Sequence, residues 1–252
     1  MNRVFLVLAS VLFIAFAATA QTTNGLSDAE VKGQQLVQEI LTQRPADDLT
    51  NMGVLQIRSA NGKSSKIPIR FDIVMKELNS LNWLSVYQTE TTNENIALII
   101  VHYPGIKTGM IGANGYFIRH GAKEKSKVDE IMNPFPAGSD FWICDLGLEF
   151  FHWPEQKVLK HETRRTRACT VLESTNPDPA AGSYSHVDSW VDDETLGIVH
   201  AEAYDAKGKL LKVFDPKSFK KVNGQWELQD MEIRNVQTGS RTWIKFDLSH
   251  KS

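Results

Sequence analysis

Cysteine is scarce: the 252 residues carry two, Cys144 and Cys169. They do not form a CxxC pair, which excludes a dithiol redox motif, and an even count in an exported chain makes a Cys144–Cys169 disulfide the expectation. Catalytic signatures are missing as well. No GxSxG elbow, HExxH or GxxxxGK[ST] phosphate loop occurs, and Gly109, Gly112 and Gly115 lack the strand-to-helix setting of a phosphate cradle. The seven histidines (His102, His120, His152, His161, His186, His200 and His250) are scattered without close ligand spacing, so no metal is expected on them. Ser183 and Ser185 adjoin His186, but neighbours on a strand face opposite sides, so no serine nucleophile is expected. Asp192-Asp193-Glu194 lacks the spaced ligands of a calcium loop and reads as an acidic hairpin tip. Arg165 and Arg167 fall on one face of an expected strand, where a solvated edge is a better reading than an anion grip. A strong charge of one sign is absent too: 28 basic against 30 acidic residues give a net charge of −2 and no reason to expect nucleic acid as a partner. The expectation is a protein that is not an enzyme and uses no cofactor.

Long apolar runs are absent beyond the N-terminus. There, Arg3 precedes the apolar stretch Val4 to Ala17, and Ala18-Thr19-Ala20 offers a small-x-small cleavage site. The stretch is short for a membrane span, which needs roughly 20 apolar residues. Residues 1–20 are expected to be a signal peptide cleaved after Ala20, with residues 21–252 as a single domain. Residue 21 is Gln, so the new terminus has no thiol to lipidate.

What is present is alternation. Ser27, with Glu30 three residues on, predicts a helix N-cap and capping box, with Ala29, Leu36, Val37, Ile40 and Leu41 on one face. Strands are predicted over 52–59, 67–75, 83–88 and 96–103, with Asn61-Gly62 and Glu90 to Asn95 as turns. The odd positions Ile67 to Met75 point to a core, while 96–103 is apolar at both parities. A short helix is expected over 122–132. A longer one is expected from Ser139, with Ile143, Leu146, Phe150 and Phe151 on one face, until Trp153-Pro154. Six strands then follow at 162–174, 186–191, 198–205, 210–214, 225–235 and 241–248. Turns fall at Asp205 to Gly208, Asn223-Gly224 and Thr238-Gly239, and the parity slip near Gln229-Asp230 implies a bulge. The fold class is mainly β (α+β): about ten antiparallel strands in one curved sheet, too long to stay flat. Helices would lie on its concave side, giving an open half-barrel with a plug.

The segments DFWICDLGLEFFHWPEQ, CTVLESTNP, AEAYD and PKSFKKVNGQWELQDMEIRNVQTGSRT, with the final strand, resemble the outer-membrane lipoprotein-sorting proteins with a LolA-like fold. The branch they match is an uncharacterised bacterial one. The likeness is densest over residues 139–248 and carries fold more securely than function. It implies an unclosed half-barrel whose apolar cavity receives the acyl chains of lipoproteins or other lipids. It also implies a periplasmic location, with an inner-membrane transporter and an outer-membrane acceptor as partners. Under this reading Leu55, Ile57, Phe71, Ile73, Leu98, Ile100, Ile233, Ile244 and Phe246 are the candidate cavity residues. Phe141, Trp142, Phe150, Phe151 and Trp153 are the candidate lid or plug. A non-catalytic envelope scaffold with a filled half-barrel is the alternative.

Overall fold

The computed structural model describes residues 25–75, 82–90, 95–103, 113–222 and 225–248. The expected signal peptide over residues 1–20, the expected Asn223-Gly224 turn, most of the expected 90–95 turn and Gly105, Gly109 and Gly112 lie outside the described residues.

Helix α1 spans Asp28–Thr42 and begins as its sequence predicts: the Ser27 hydroxyl accepts from the Glu30 amide, and Glu30 accepts from the Ser27 amide. Its first turn carries Asp28 and Glu30, which suits the positive end of the helix dipole. Val37 is its buried anchor. Gly33 is what lets it lie so close, because a Cβ there would meet the Gln156 and Lys157 backbone at 2.6 Å.

The strands are β1 Leu49–Arg58, β2 Ser64–Val74, β3 Trp83–Glu90, β4 Asn95–Tyr103, β5 Ala113–His120 and β6 Ser126–Lys127. After the plug come β7 Glu155–Arg164, β8 Arg167–Thr175, β9 Tyr184–Asp192, β10 Ile198–Asp205, β11 Leu210–Val222, β12 Gln225–Asn235 and β13 Arg241–Asp247. All thirteen belong to one antiparallel sheet ordered β6-β5-β4-β3-β2-β1-β13-β12-β11-β10-β9-β8-β7. Two meanders are joined where β1 meets β13, with Leu55 opposite Ile244. The sheet does not close, as an open half-barrel requires. Among the described residues no helix is long and apolar enough to cross a membrane.

The strand count exceeds the expected ten for identifiable reasons. The predicted strand 162–174 is a hairpin. Arg165 and Thr166 take left-handed φ values of 49° and 65° and turn the chain with no glycine to announce it. The short helix expected over 122–132 is absent; Ser126–Lys127 pairs with Ile118 and Phe117 instead. The bulge near Gln229 is present, since β11 pairs Ser218 with Asp230 but Phe219 with Leu228.

The long helix expected from Ser139 is also replaced. Only one α-helical turn, α2 Ile143–Leu146, and a 3₁₀ turn, Glu149–His152, form. The amides that a helix starting at Ser139 would use are taken elsewhere: Ile143 N–H donates to Asn133 O and Cys144 N–H to Ile131 O. Leu148, at φ 50°, then separates the two turns.

The expected disulfide does not form; both cysteines are free and buried. Cys144 packs in the inner-face cluster around Val37, Leu172 and Tyr184. Cys169 packs with Val171 and Trp190. Leu172 and Cys169 differ in strand parity, so the two thiols lie on opposite faces of the sheet.

Candidate ligand site

The plug, residues 140–153, is tied to the inner face through polar groups from several strands. At its start the Asp140 carboxylate accepts from Ser240 (2.5 Å) and Thr242 (2.9 Å) beside and on β13. Asp145 accepts from the Trp142 amide (2.8 Å), the Tyr184 hydroxyl on β9 (2.9 Å) and Lys212 Nζ on β11 (3.2 Å). Lys212 is 2% exposed, and the Trp142 ring, itself stacked on Tyr184, covers its ammonium. Burial pushes the Lys212 pKa down and the Asp145 charge opposes that shift. Burial and the same carboxylate push Tyr184 up, so it keeps its proton and donates. Farther along, Asn114 on β5 donates to Gly147 O (2.8 Å), and Tyr116 donates to Glu149 (2.8 Å). At the end, buried Gln156 on β7 donates to the carbonyls of Phe150 and Trp153, both at 2.9 Å, and accepts from Ser174. Buried polar groups bonded to the segment at its start, middle and end in this way fix one arrangement of it.

Space remains on both sides of the plug. One cavity of about 230 Å³ lies between α1, the β2–β5 meander and the plug, lined by Ile40, Leu41, Phe71, Ile73, Trp83, Tyr87, Leu146 and Leu148 among others. A second, of about 300 Å³, is lined by Tyr87, Phe141, Leu146, Leu148, Phe214, Phe219, Leu228 and Met231. A pocket of about 40 Å³ beside Lys212 touches Leu148, Phe150, Val187 and Ile233. Leu148 borders all three. Leu146 and Tyr87 border the two larger ones.

The wall of the first cavity carries polar groups, among them Ser85 and His102. The Ser85 hydroxyl is 2.8 Å from Nε2 of His102, whose ring stacks on Trp83 at 3.7 Å. Burial, then His152, push His102 down to about 4 against a raising contact from Asn114. Such an imidazole is neutral at physiological pH and too weak a base to activate the serine efficiently. It serves as a hydrogen-bonding group in an apolar wall. The buried Asn114 Oδ1 nearby has no hydrogen-bond partner among the described residues.

Of the predicted cavity residues, Phe71 and Ile73 line the first cavity and Ile233 the small pocket. Leu55, Ile57, Leu98, Ile100, Ile244 and Phe246 are packed in the main core cluster and border none of the three spaces. Among the predicted plug residues, Phe141, Phe150 and Phe151 are buried, with Phe141 against the second cavity, Phe151 against the first and Phe150 against the small pocket. Trp142 caps Lys212, and Trp153 packs edge-on to Phe150. The sequence reading missed Leu148, Ser85, His102 and Asn114. Arg165, in turn, holds Asp215, and Arg167 holds exposed Glu194 and buried Asp192.

A family profile described as an uncharacterized protein matches residues 127–249. No curated protein matches the chain. Among solved structures, a DUF1329 family protein from Desulfovibrio piger superposes with a TM-score of 0.68 at 19% identity, covering 88% of this chain and 92% of that one. A candidate outer membrane lipoprotein-sorting protein domain from Vibrio parahaemolyticus gives 0.68 at 22% identity, covering 86% and 91%. A LolA superfamily protein from Nitrosomonas europaea gives 0.57 at 15%, covering 88% and 92%. The fold is therefore the LolA-like open half-barrel.

Proposed function

We propose that this protein is an exported, non-catalytic carrier. It would hold acyl chains of lipoproteins or other lipids on the inner face of its half-barrel and move them through the periplasm toward the outer membrane. The observation that carries this reading is the pair of apolar cavities flanking Leu146–Leu148. Together they reach the size range of ordinary ligand pockets. Each methylene moved there from water contributes about 0.8 kcal/mol, so a long chain is held without covalent chemistry. The Ser85–His102 pair offers a polar end suited to an ester or amide carbonyl. The residue 1–20 segment fits export. An inner-membrane transporter would load the carrier and an outer-membrane acceptor would unload it.

Native mass spectrometry of the protein from a periplasmic extract tests this directly. A bound lipid or lipopeptide, displaced by added fatty acid, is the expected result. A clean apo mass that ignores acyl ligands would replace the carrier with the filled-barrel scaffold. That reading has support of its own in the tightly bonded plug.

A further inference from the structure

The outer face of the β8–β10 strands carries a row of carboxylates that ordinary sheet physics disfavours. Glu173 pairs with Asp188 across β8 and β9, and Asp188 pairs with Glu202 across β9 and β10. Like charges set opposite one another on neighbouring strands are destabilising. Lys157 on β7 lies opposite Glu173, while Lys160, the cation that acts on Asp188, is held by Glu162 at 2.7 Å. Glu202 is occupied by the Tyr204 hydroxyl (2.9 Å) and by His200 (3.1 Å). Asp188 is not: its Oδ1 is buried and has no hydrogen-bond partner among the described residues. An orphaned buried carboxylate oxygen costs several times what a surface one does, unless something positive sits against it.

His186, two residues before Asp188 on β9, lies on the same face. Its ring stacks on Tyr204 at 4.2 Å and 11°, and the Ser185 hydroxyl lies 3.0 Å from its Nδ1. Second partners of this kind orient a metal-bound imidazole and leave its other nitrogen for the ion. One ligand atom from each of Glu173, His186 and Asp188 lies within 4.8 Å of the other two, and all three side chains are half-buried. Ligands at about 2.0–2.2 Å from zinc stand about 3.5 Å apart, so small rotations of three side chains close the set.

We propose that Glu173, His186 and Asp188 form a divalent transition-metal site on the outer face of the sheet, with zinc as the fitting ion. One imidazole and two carboxylates suit zinc better than calcium, which takes 6–8 oxygens. Burial holds His186 below its ordinary value, with Glu173 opposing, so the imidazole is neutral and free to bind. Asp188 is pushed up to about 6, by burial first and then by Glu173 and Glu202, with Lys160 opposing, and is ionised at pH 7. An ion here would cross-link β8 to β9 and relieve the carboxylate row, acting as a brace remote from the lipid cavities.

Calorimetric titration of zinc into the full chain stripped with EDTA, at pH 7, is the test, with thermal unfolding alongside. The expected result is one zinc per chain, a rise of several degrees in the unfolding midpoint, and at least tenfold weaker binding by Asp188→Asn and by His186→Gln. Asp188→Asn removes repulsion and keeps the shape, so it should fold, and circular dichroism checks that. The proposal is overturned if zinc does not bind, if both variants bind it as tightly as the native chain, or if calcium binds equally well.

Discussion

The Nζ of Lys212 lies 3.4 Å from the centre of the Trp142 ring and 3.2 Å from Asp145 Oδ2, beneath the plug. The pair joins the one helical turn of the plug to β11. Removing one member leaves the other charge buried and unpaired, which costs about 3–5 kcal/mol, whereas replacing both with neutral groups costs much less. Lys212→Met should therefore lower the urea unfolding free energy by about 3–5 kcal/mol. Lys212→Met combined with Asp145→Asn should recover most of it. Additive losses in that double-mutant cycle would show that the pair does not act as a unit.

Leu148 sits where the three inner spaces meet, in a left-handed conformation and 38% exposed. That conformation costs an L-residue roughly 1–2 kcal/mol, which glycine avoids. Leu148→Gly should leave stability within about 1 kcal/mol of native, because lost contact offsets released strain. The same change joins the two larger cavities, so a fluorescent fatty acid should bind several-fold more tightly. Leu148→Trp should fill the space and weaken binding. Equal affinity in both variants would remove Leu148 from the ligand path.

A glycine inside a helix is normally improved by alanine, by about 1 kcal/mol. Gly33 should reverse that sign. Its added methyl meets the backbone of Gln156 and Lys157, which cannot rotate away as a side chain can. Gly33→Ala should destabilise by about 1–3 kcal/mol, as overpacking does, and carry α1 away from β7. Thermal unfolding decides the sign, and a higher midpoint would mean that the helix can shift without loss.

Much of this fold is written in strict two-residue periodicity. Thr242, Ile244, Phe246 and Leu248 are all buried as the alternation requires, and the Gln229 bulge follows from the parity change between Leu228 and Met231. The failures have local causes. The Arg165-Thr166 turn has no Asn-Gly signal, so two strands read as one. The plug residues carry a helical apolar pattern, but their amides bond to residues 131 and 133, a tertiary preference invisible to periodicity. The cavity was the hardest part to read. Inward alternation marks Leu98 and Ile100 the same way as Phe71, yet only Phe71 borders empty space. Whether an inward residue is core or lining depends on which part of the plug lies over it, and alternation does not encode that.

Asp188 makes a prediction about pH that needs no added ion. Its carboxyl is raised from the ordinary 3.8 to about 6, so the folded state holds its proton more tightly than the unfolded chain does. Stability from this group is fully present below the ordinary value and is lost as pH rises toward about 6. Glu173 and Glu202 face it from β8 and β10, and Lys160 only partly offsets them. The shift corresponds to at most about 3 kcal/mol, and since the side chain is partly exposed, solvent screening reduces that to about 1–2 kcal/mol. Asp188→Asn removes the titration altogether. In metal-free buffer, the unfolding free energy of the native chain should fall relative to that of Asp188→Asn between about pH 4 and pH 6. The difference should then stay flat to pH 7. Parallel profiles across that window would place Asp188 at an ordinary carboxylate pKa and remove the electrostatic cost that an ion on the outer face would relieve.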